Sequence, residues 1–377
     1  MIYLTYNDAP SGIYNSQVID VVKYLNTIQN TQKITLVALI SIRGFKKNKS
    51  KIKLQLPKSI IIPMFPKARF WRFNIIQLFF VCLFLNSKQI IGRGAFATNL
   101  ALTLKKIKFI KKVIFDARGA YYAELSEYNV INDKKIISQI KNIENKAITF
   151  SDYKLAVSEA LVNYWKKNYN YNSQNHVVIP CTLSVDFVFE FPTKNELKNL
   201  KQQTNFLKEE DIVLVYSGSS AGWQSFNLLE EWLLNMFEKN EHLKLIMLTN
   251  HPPQNSTFFD MYKNRIYTKW LQPNEVKNML LIADYGLMYR DDTVTNQVAS
   301  PVKFAEYLSC GLQIITSNNL GDFSDFVKTK NCGFVLPSQI IFTQVDYSTK
   351  KQNNNLAMEF LIKQNYKQSY LKLLACE

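Results

Sequence analysis

Short apolar runs alternate with helix-length amphipathic segments along the whole chain, and this alternation restricts the fold more than any other feature. In the first half the apolar runs fall at 2–5, 34–40, 59–63, 89–91, 113–116, 155–157 and 177–179, with helical patterns at 16–26, 73–85, 97–105 and 134–148. A second series falls at 212–216, 243–248, 265–267, 285–288, 313–316 and 333–335, with helical patterns at 227–239, 274–283 and 301–309. A strand that feeds a helix and then another strand pairs in parallel, because the helix carries the chain back to the starting end. Two doubly wound α/β domains are therefore predicted, and a chain of 377 residues is long enough for both. The boundary is expected in the polar stretch after Ile179-Pro180. This gives domains 1–183 and 184–345, and a helical segment 346–377 expected to pack back on the first domain, with 351–374 as one helix. In such sheets ligands bind outside the carboxyl ends of the strands, so the residues that follow strands are the ones to inspect.

Charge is divided unevenly. Residues 1–180 carry 27 Lys and Arg against 9 Asp and Glu, whereas residues 181–377 carry 19 against 21. No acid occurs between Asp20 and Asp116, a span holding 19 basic residues. A one-sided field of this kind attracts an anionic surface or polymer, and membrane lipid and nucleic acid are the two candidates. No nucleic-acid-binding motif is present, so no nucleic acid partner is expected. The most apolar stretch, 70–85, is too short to span a bilayer and is interrupted by Arg72, Asn74 and Gln77. Its flank mixes cations with rings, as a lipid headgroup layer favours, so Lys67, Arg69, Trp71 and Arg72 are predicted to face a membrane and 78–85 to face the core. The competing explanation is a wholly buried helix behind a basic loop. The opening residues 1–5 enter a strand pattern with no basic n-region ahead of an apolar h-region, so no secretory signal is expected. Cys82, Cys181, Cys310, Cys332 and Cys376 form no CxxC pair, which predicts reduced thiols and no cysteine-based zinc site.

The segment 300–311, SPVKFAEYLSCG, carries the most chemistry. Ser300 suits an N-cap and Pro301 the first helical position, where no N–H partner is needed. The helix then opens with free N–H groups and a positive dipole end, and Lys303 adds a full charge, which outlines a phosphate site. Glu306 lies on the same side, where a carboxylate accepts two hydrogen bonds from a vicinal diol such as a ribose. An ordinary Lys–Glu surface pair is the plain alternative. The segment 216–223, YSGSSAGW, follows a strand and precedes a helix. Gly218 and Gly222 allow close backbone approach, Ser219 offers a hydroxyl, and Trp223 either packs on a ligand or staples the helix. Asp116-Ala117-Arg118-Gly119 ends a strand, Arg93 ends a neighbouring one, and Glu124 follows; acid and guanidinium at strand ends suit sugar contacts, or form an ion pair that shapes the turn. Adjacent Asp291 and Asp292 are a poor metal signal, and Arg290 beside them suits a phosphate.

These residues carry a resemblance. The run SPVKFAEYLSCGLQIITS resembles the donor-site signature of the glycosyltransferase family 4 group of GT-B enzymes, Ser-Pro-x-Lys-x-x-Glu-Tyr-Leu-x-x-Gly-x-Pro-x-Ile, with Gln313 in place of the proline. Other segments resemble family features in order: Pro10-Ser11-Gly12 after the first strand, Ile90-Ile91-Gly92-Arg93-Gly94, Asp116-Ala117-Arg118-Gly119, Leu155-Ala156-Val157-Ser158-Glu159, Val178-Ile179-Pro180-Cys181, Leu214-Val215-Tyr216-Ser217-Gly218 and Ala283-Asp284-Tyr285-Gly286. There are departures. Val298 stands where many members have a second Glu, residues 219–224 lack the usual Arg and Lys, and the only histidines are His176, His242 and His251.

The resemblance implies two Rossmann-like domains facing across a cleft, the first binding an acceptor and the second a nucleotide sugar. It implies transfer of a sugar with retention of anomeric configuration and without a metal or other cofactor. On that basis Gly218, Ser219, Gly222, Trp223, Arg290, Ser300, Pro301, Lys303 and Glu306 are expected to bind the donor. Arg93, Asp116, Arg118 and Glu124 are the candidate catalytic residues, and Ser11 and Gly12 form the acceptor loop. The expected partners are a nucleotide-sugar donor, a saccharide or lipid-linked saccharide acceptor and an anionic inner membrane surface. The expected setting is cytoplasmic, peripheral on that membrane, in polysaccharide, lipopolysaccharide or capsule assembly. A nucleotide-sugar epimerase of the same fold, or a non-enzymatic basic sugar- or nucleic-acid-binding protein, is the alternative.

Overall fold

The computed structural model describes all residues except 30–31, 66–67, 129–133, 219–221, 251, 254–255 and 376–377. The chain forms two compact units, Met1–Ser184 with Lys363–Glu377, and Val185–Ile362.

The first unit is built on a seven-stranded sheet of β1 (Ile2–Tyr6), β2 (Thr35–Ile40), β3 (Ile60–Pro63), β4 (Gln89–Arg93), β5 (Lys112–Asp116), β6 (Tyr153–Ala156) and β7 (His176–Val178). The strand order is β3-β2-β1-β4-β5-β6-β7 and every pairing is parallel. The chain winds outward from β1 in one direction and then from β4 in the other, so the order reverses between β1 and β4. Alternate side chains of each strand feed opposite faces. Tyr3, Leu36, Ala38 and Ile91 pack with Val18, Ile19, Val22 and Leu25 on one side. Ile2, Leu4, Val37 and Ile90 pack with Leu78, Cys82, Leu100 and Leu104 on the other. Gly92 lets the helix Gly94–Lys106 turn back closely over β4, since a Cβ there would lie 2.6 Å from Thr98 Cα.

The second unit has a six-stranded sheet of β8 (Ile212–Ser217), β9 (Leu243–Leu248), β10 (Ile266–Lys269), β11 (Tyr285–Met288), β12 (Gln313–Ser317) and β13 (Gly333–Leu336). Its order is β10-β9-β8-β11-β12-β13, again parallel throughout, with the reversal between β8 and β11. Leu229, Leu233 and Phe237 of the helix Phe226–Lys239 pack on Leu214, Leu245 and Met247. Phe304 of the helix Val302–Ser309 stacks on Phe323 with ring centroids 3.9 Å apart.

Three expectations need correction. The segment 351–374 is not one helix. It is split into Tyr347–Phe360 and Lys367–Ala375, which belong to different units, so the return to the first unit begins at Lys363 and not at 346. The first of these helices is tied to the second unit by its amides. Asn353 Nδ2 donates to the Leu312 carbonyl at 2.9 Å, and Asn354 Nδ2 donates to the Ser309 carbonyl at 2.6 Å. The last helix instead sinks Tyr370, Leu373 and Leu374 into the first unit's core. Second, the stretch 78–85 is not all core: Leu78 and Cys82 are buried, but Phe80, Leu83 and Phe84 are exposed by 61%, 58% and 83%. Third, Trp71 does not point outward. It is half-buried, with its ring edge-on to Phe96 at 5.3 Å, and packs against the core.

Candidate functional site

In the second unit the segments that follow β8 and β11 meet beside the reversal point. Gly218 leaves β8 with its N–H donating to the Leu248 carbonyl at 3.2 Å. Ser219 lies outside the described residues, as do 220 and 221, and the side chain of Trp223 is also not described. Gly222 is exposed at the head of a 3₁₀ turn, Gly222–Gln224. Past β11, Arg290 is buried, its N–H donating to Ser317 Oγ at 2.5 Å, and the Asp291 N–H donates to Ser225 Oγ at 2.8 Å. Those two bonds fix the Arg290 segment between the β8 loop and the end of β12. The Arg290 charge pulls against the upward shift of Tyr216, whose hydroxyl burial pushes to about 12. Asp291 and Asp292 are exposed. Among the described residues no three His, Cys, Asp or Glu side chains converge as a metal-holding group.

The helix Val302–Ser309 starts one residue later than the sequence predicts. Pro301 itself is the N-cap, with φ −69° and ψ 127°, and Ser300 is buried just ahead of it. Proline has no N–H to satisfy, and its extended ψ lets its carbonyl accept the first bond of the helix, from the Phe304 N–H at 3.0 Å. Pro301 supplies no side-chain cap bond of its own. Lys303 and Glu306 pair with each other, Nζ to Oε2 at 2.7 Å, with side chains 30% and 11% exposed. One residue that sequence reasoning passed over holds the helix in place. Tyr307 lies beneath Gly286 of β11, where a Cβ would come within 2.3 Å of its ring, and its hydroxyl accepts from the Ser217 N–H at 2.8 Å. Burial pushes that hydroxyl far up, so it stays protonated. A glycine inside a strand is the signal that could have found it.

In the first unit the candidates collect at the ends of β1, β4 and β5. Asp116 is the centre. Its side chain is 1% exposed; it accepts from Arg118 Nη2 at 2.9 Å and from the Tyr3 hydroxyl, and Arg93 Nη1 stands 3.8 Å away. Arg93 turns its Nε toward Asp8, 3.5 Å from Oδ2, across the reversal between β1 and β4. Burial raises the Asp8 carboxyl above its ordinary range, and Arg93 opposes that shift. Both guanidiniums also bond Gln17, Arg93 Nη1 to its carbonyl at 3.4 Å and Arg118 Nη1 to its Oε1 at 3.5 Å. Gln17 sits in a π-helical turn, Asn15–Ile19, and donates to the Thr182 carbonyl at 2.9 Å. Such turns, with one extra residue, often mark functional segments. Asp116 is therefore enclosed by protein and acts as a positioning residue for the two arginines, while Asp8, at 41% exposed, is the accessible carboxylate.

Glu124 lies in the short helix Tyr121–Glu127, half-buried, with its carboxyl raised by burial. That helix is capped from outside. Glu144, 1% exposed, accepts from the Tyr121 and Tyr122 N–H groups at 2.8 and 3.3 Å and from the Tyr169 hydroxyl at 2.6 Å. Ser11 caps the turn Gly12–Tyr14 by accepting from the Tyr14 N–H at 3.2 Å, and a Cβ on Gly12 would meet open space. Lys67 lies outside the described residues, and the side chain of Arg69 is not described. Arg72 is exposed, its guanidinium 5.6 Å from the centre of the Trp71 ring.

By sequence, the chain matches no protein-family model and no curated protein. By structure, it is similar to the Anabaena protein HepE, solved in complex with UDP and glucose, at TM-score 0.70 and 11% identity, covering 100% of each chain. It is also similar to the lipopolysaccharide outer core galactosyltransferase WaaB, at TM-score 0.63 and 13% identity, covering 99% of each chain. The chain has the GT-B fold. At these identities the likeness speaks for the fold alone. A looser likeness, at TM-score 0.52 and 11% identity, joins this GT-B chain to a Listeria monocytogenes protein described as a UDP-N-acetylglucosamine 2-epimerase, covering 100% of this chain and 90% of that one.

Proposed function

We propose that this GT-B chain is a glycosyltransferase. It takes a sugar from a nucleotide-sugar donor held by the second unit and passes it to a saccharide acceptor recognised by the first. The observation that carries this is the helix Val302–Ser309. Its amino end, opened by Pro301, follows the β11 loop, with Lys303 and Glu306 on one face and buried Arg290 in that loop. A departing nucleoside diphosphate gains charge in the transition state, and that charge is met by oriented N–H groups and cations. Lys303, Arg290 and the helix end serve that role, with no metal required. Donor phosphate draws Lys303 away from Glu306, which frees the carboxylate to accept from the ribose diol. Gly218, Ser219, Gly222 and Trp223 complete the donor side.

On the acceptor side Arg93 and Arg118, aimed by Asp116 and Gln17, present cations, while Glu124 and the Ser11–Gly12 turn contact the saccharide. Transfer proceeds with retention of configuration. The acceptor is lipid-linked, and the basic first unit holds the protein to the anionic inner face of the cytoplasmic membrane during polysaccharide, lipopolysaccharide or capsule assembly. The charge division supports this setting.

Thermal shift with UDP-, GDP-, ADP- and CMP-sugars tests the donor assignment, because a ligand of the folded state alone raises its stability by mass action. One nucleotide class is expected to raise the melting temperature, and Lys303→Met and Glu306→Gln are expected to abolish most of that rise. No shift with any donor in wild type sinks the proposal. The looser likeness to an epimerase gives the second possibility. An epimerase converts donor without an acceptor, whereas a transferase shows only slow hydrolysis until acceptor is added.

A further inference from the structure

We infer that the outer face of the helix Ile75–Phe84, together with Phe73 in the 3₁₀ turn that leads into it, is an insertion face that beds in the outer layer of an anionic lipid bilayer. This deepens the membrane part of the proposed function and does not depend on the donor site. Phe73, Ile76, Phe80, Leu83 and Phe84 are exposed by 60%, 58%, 61%, 58% and 83%. Within the helix, Ile76, Phe80, Leu83 and Phe84 are spaced by three and four residues and share one side, and Phe73 stands just ahead of them. The opposite side is anchored, with Leu78 and Cys82 fully buried and Ile75 and Phe79 packed on the core. The outward stripe is therefore a feature of a seated helix. A helix on the surface of a sheet ordinarily turns polar residues to water, yet no charged residue occurs from 73 to 85. The stripe is about 16 Å long at the helical rise, so it lies in the headgroup plane and does not cross. No helix among the described residues is long and apolar enough to cross a membrane.

Charge sets the partner. Cations stand at the two ends of the stripe and not within it. Arg72 is exposed at the start. Lys88, just past the end, lies 4.5 Å over the Phe109 ring, which itself packs 4.5 Å from Phe79. Ile107, two residues before Phe109, is 63% exposed between the exposed Lys106 and Lys108. No acid occurs in the surrounding sequence from 21 to 115. An apolar strip bounded by cations matches acyl chains flanked by lipid phosphates. A second copy fits less well, because a two-fold contact through this face sets the same cations against one another. A nucleic acid asks for cations along the strip itself, where there are none.

Flotation with vesicles of phosphatidylcholine alone, or mixed with phosphatidylglycerol, tests the inference. Wild type is expected to float with the mixed vesicles and to stay bound when salt is raised after binding, because inserted apolar groups are not screened. The double change Phe80→Ser and Phe84→Ser is expected to lower binding by at least about tenfold and to make the rest salt-releasable. Its melting temperature should be unchanged, since both rings already face water. Arg72→Gln with Lys88→Gln should weaken the preference for the anionic vesicles. Equal flotation of the double-Ser variant and wild type overturns insertion while leaving surface attraction standing. No flotation of wild type overturns both. A wild-type dimer that the double-Ser change makes monomeric, seen by sedimentation velocity, reassigns the face to a second copy. The nucleotide-sugar thermal shift, read on the same variants, is expected to be intact, so failure of the lipid inference and failure of the donor assignment are separable.

Discussion

Asp116 joins β1, β4 and β5 through one carboxylate, because Tyr3, Arg93 and Arg118 all converge on it. Replacing it by Asn keeps the shape but leaves the largely buried Arg118 guanidinium without its counter-charge and Arg93 with Asp8 alone. Breaking one side of a buried pair costs roughly 3–5 kcal/mol. Asp116→Asn is therefore expected to lower unfolding free energy by about that amount in urea titration, and Asp8→Asn by far less, because Asp8 is partly in water. Lys363 has a signature in pH. Its ammonium is buried against the Leu183 carbonyl at 2.6 Å, and burial lowers it from 10.5 to about 8. Between those values the unfolded chain holds a proton that the folded chain lacks, so this group adds stability as pH rises through that window. Lys363→Met removes the gain. Relative to wild type, the variant is expected to lose roughly 2 kcal/mol of stability between pH 7.5 and 9.5. Parallel curves for the two proteins would contradict it.

Gly286 and Tyr307 act as one device in the second unit. The ring fills the space a side chain on β11 would need, and its hydroxyl receives the last N–H of β8. Gly286→Ala is expected to destabilise by about 1–3 kcal/mol through overpacking and to weaken donor binding, because the helix Val302–Ser309 must move. Adding Tyr307→Leu to it should recover part of the stability but not the binding, a non-additive pair readable by melts and nucleotide titration. At this scale the sequence was legible where local physics decides. Short apolar runs gave both sheets, and SPVKFAEYLSCG gave the helix. Its start was placed one residue early because Ser300 is a better cap by type, whereas the backbone makes Pro301 the cap. The run KKQNNN at 350–355 reads as polar surface, yet Lys350, Asn353 and Asn354 are buried, because carbonyls at the ends of other elements accept hydrogen bonds from them. Phe80 and Phe84 mislead in the opposite sense, being apolar and exposed. Gln17 was illegible because its partners, Arg93, Arg118 and Thr182, are distant in sequence.

Across the whole molecule the chain leaves the first unit at Ser184 and returns at Lys363. The last helix, Lys367–Ala375, packs against β6, β7 and the helix Asp20–Ile28, with the Tyr370 ring edge-on to Tyr24 at 5.5 Å. Lys112 Nζ also donates to the Leu374 carbonyl at 3.3 Å. Tyr370, Leu373 and Leu374 are therefore core residues of a sheet whose strands were all made much earlier in the chain. Fully burying a side chain of this kind contributes about 1.5–3 kcal/mol, and three together approach the net stability of an ordinary domain. The second unit has its own sheet and core. A chain ending at Ile362 is expected to lose hydrogen-exchange protection across β6, β7 and the helix Asp20–Ile28, while β8, β9 and β11 keep theirs. Since nucleotide binding is assigned to the second unit alone, the truncated chain should also retain a donor-induced rise in protection around β8 and β11. Equal loss of protection in both sheets would mean that the units fold as a single cooperative body, and the assignment of donor binding to one of them would then need direct proof.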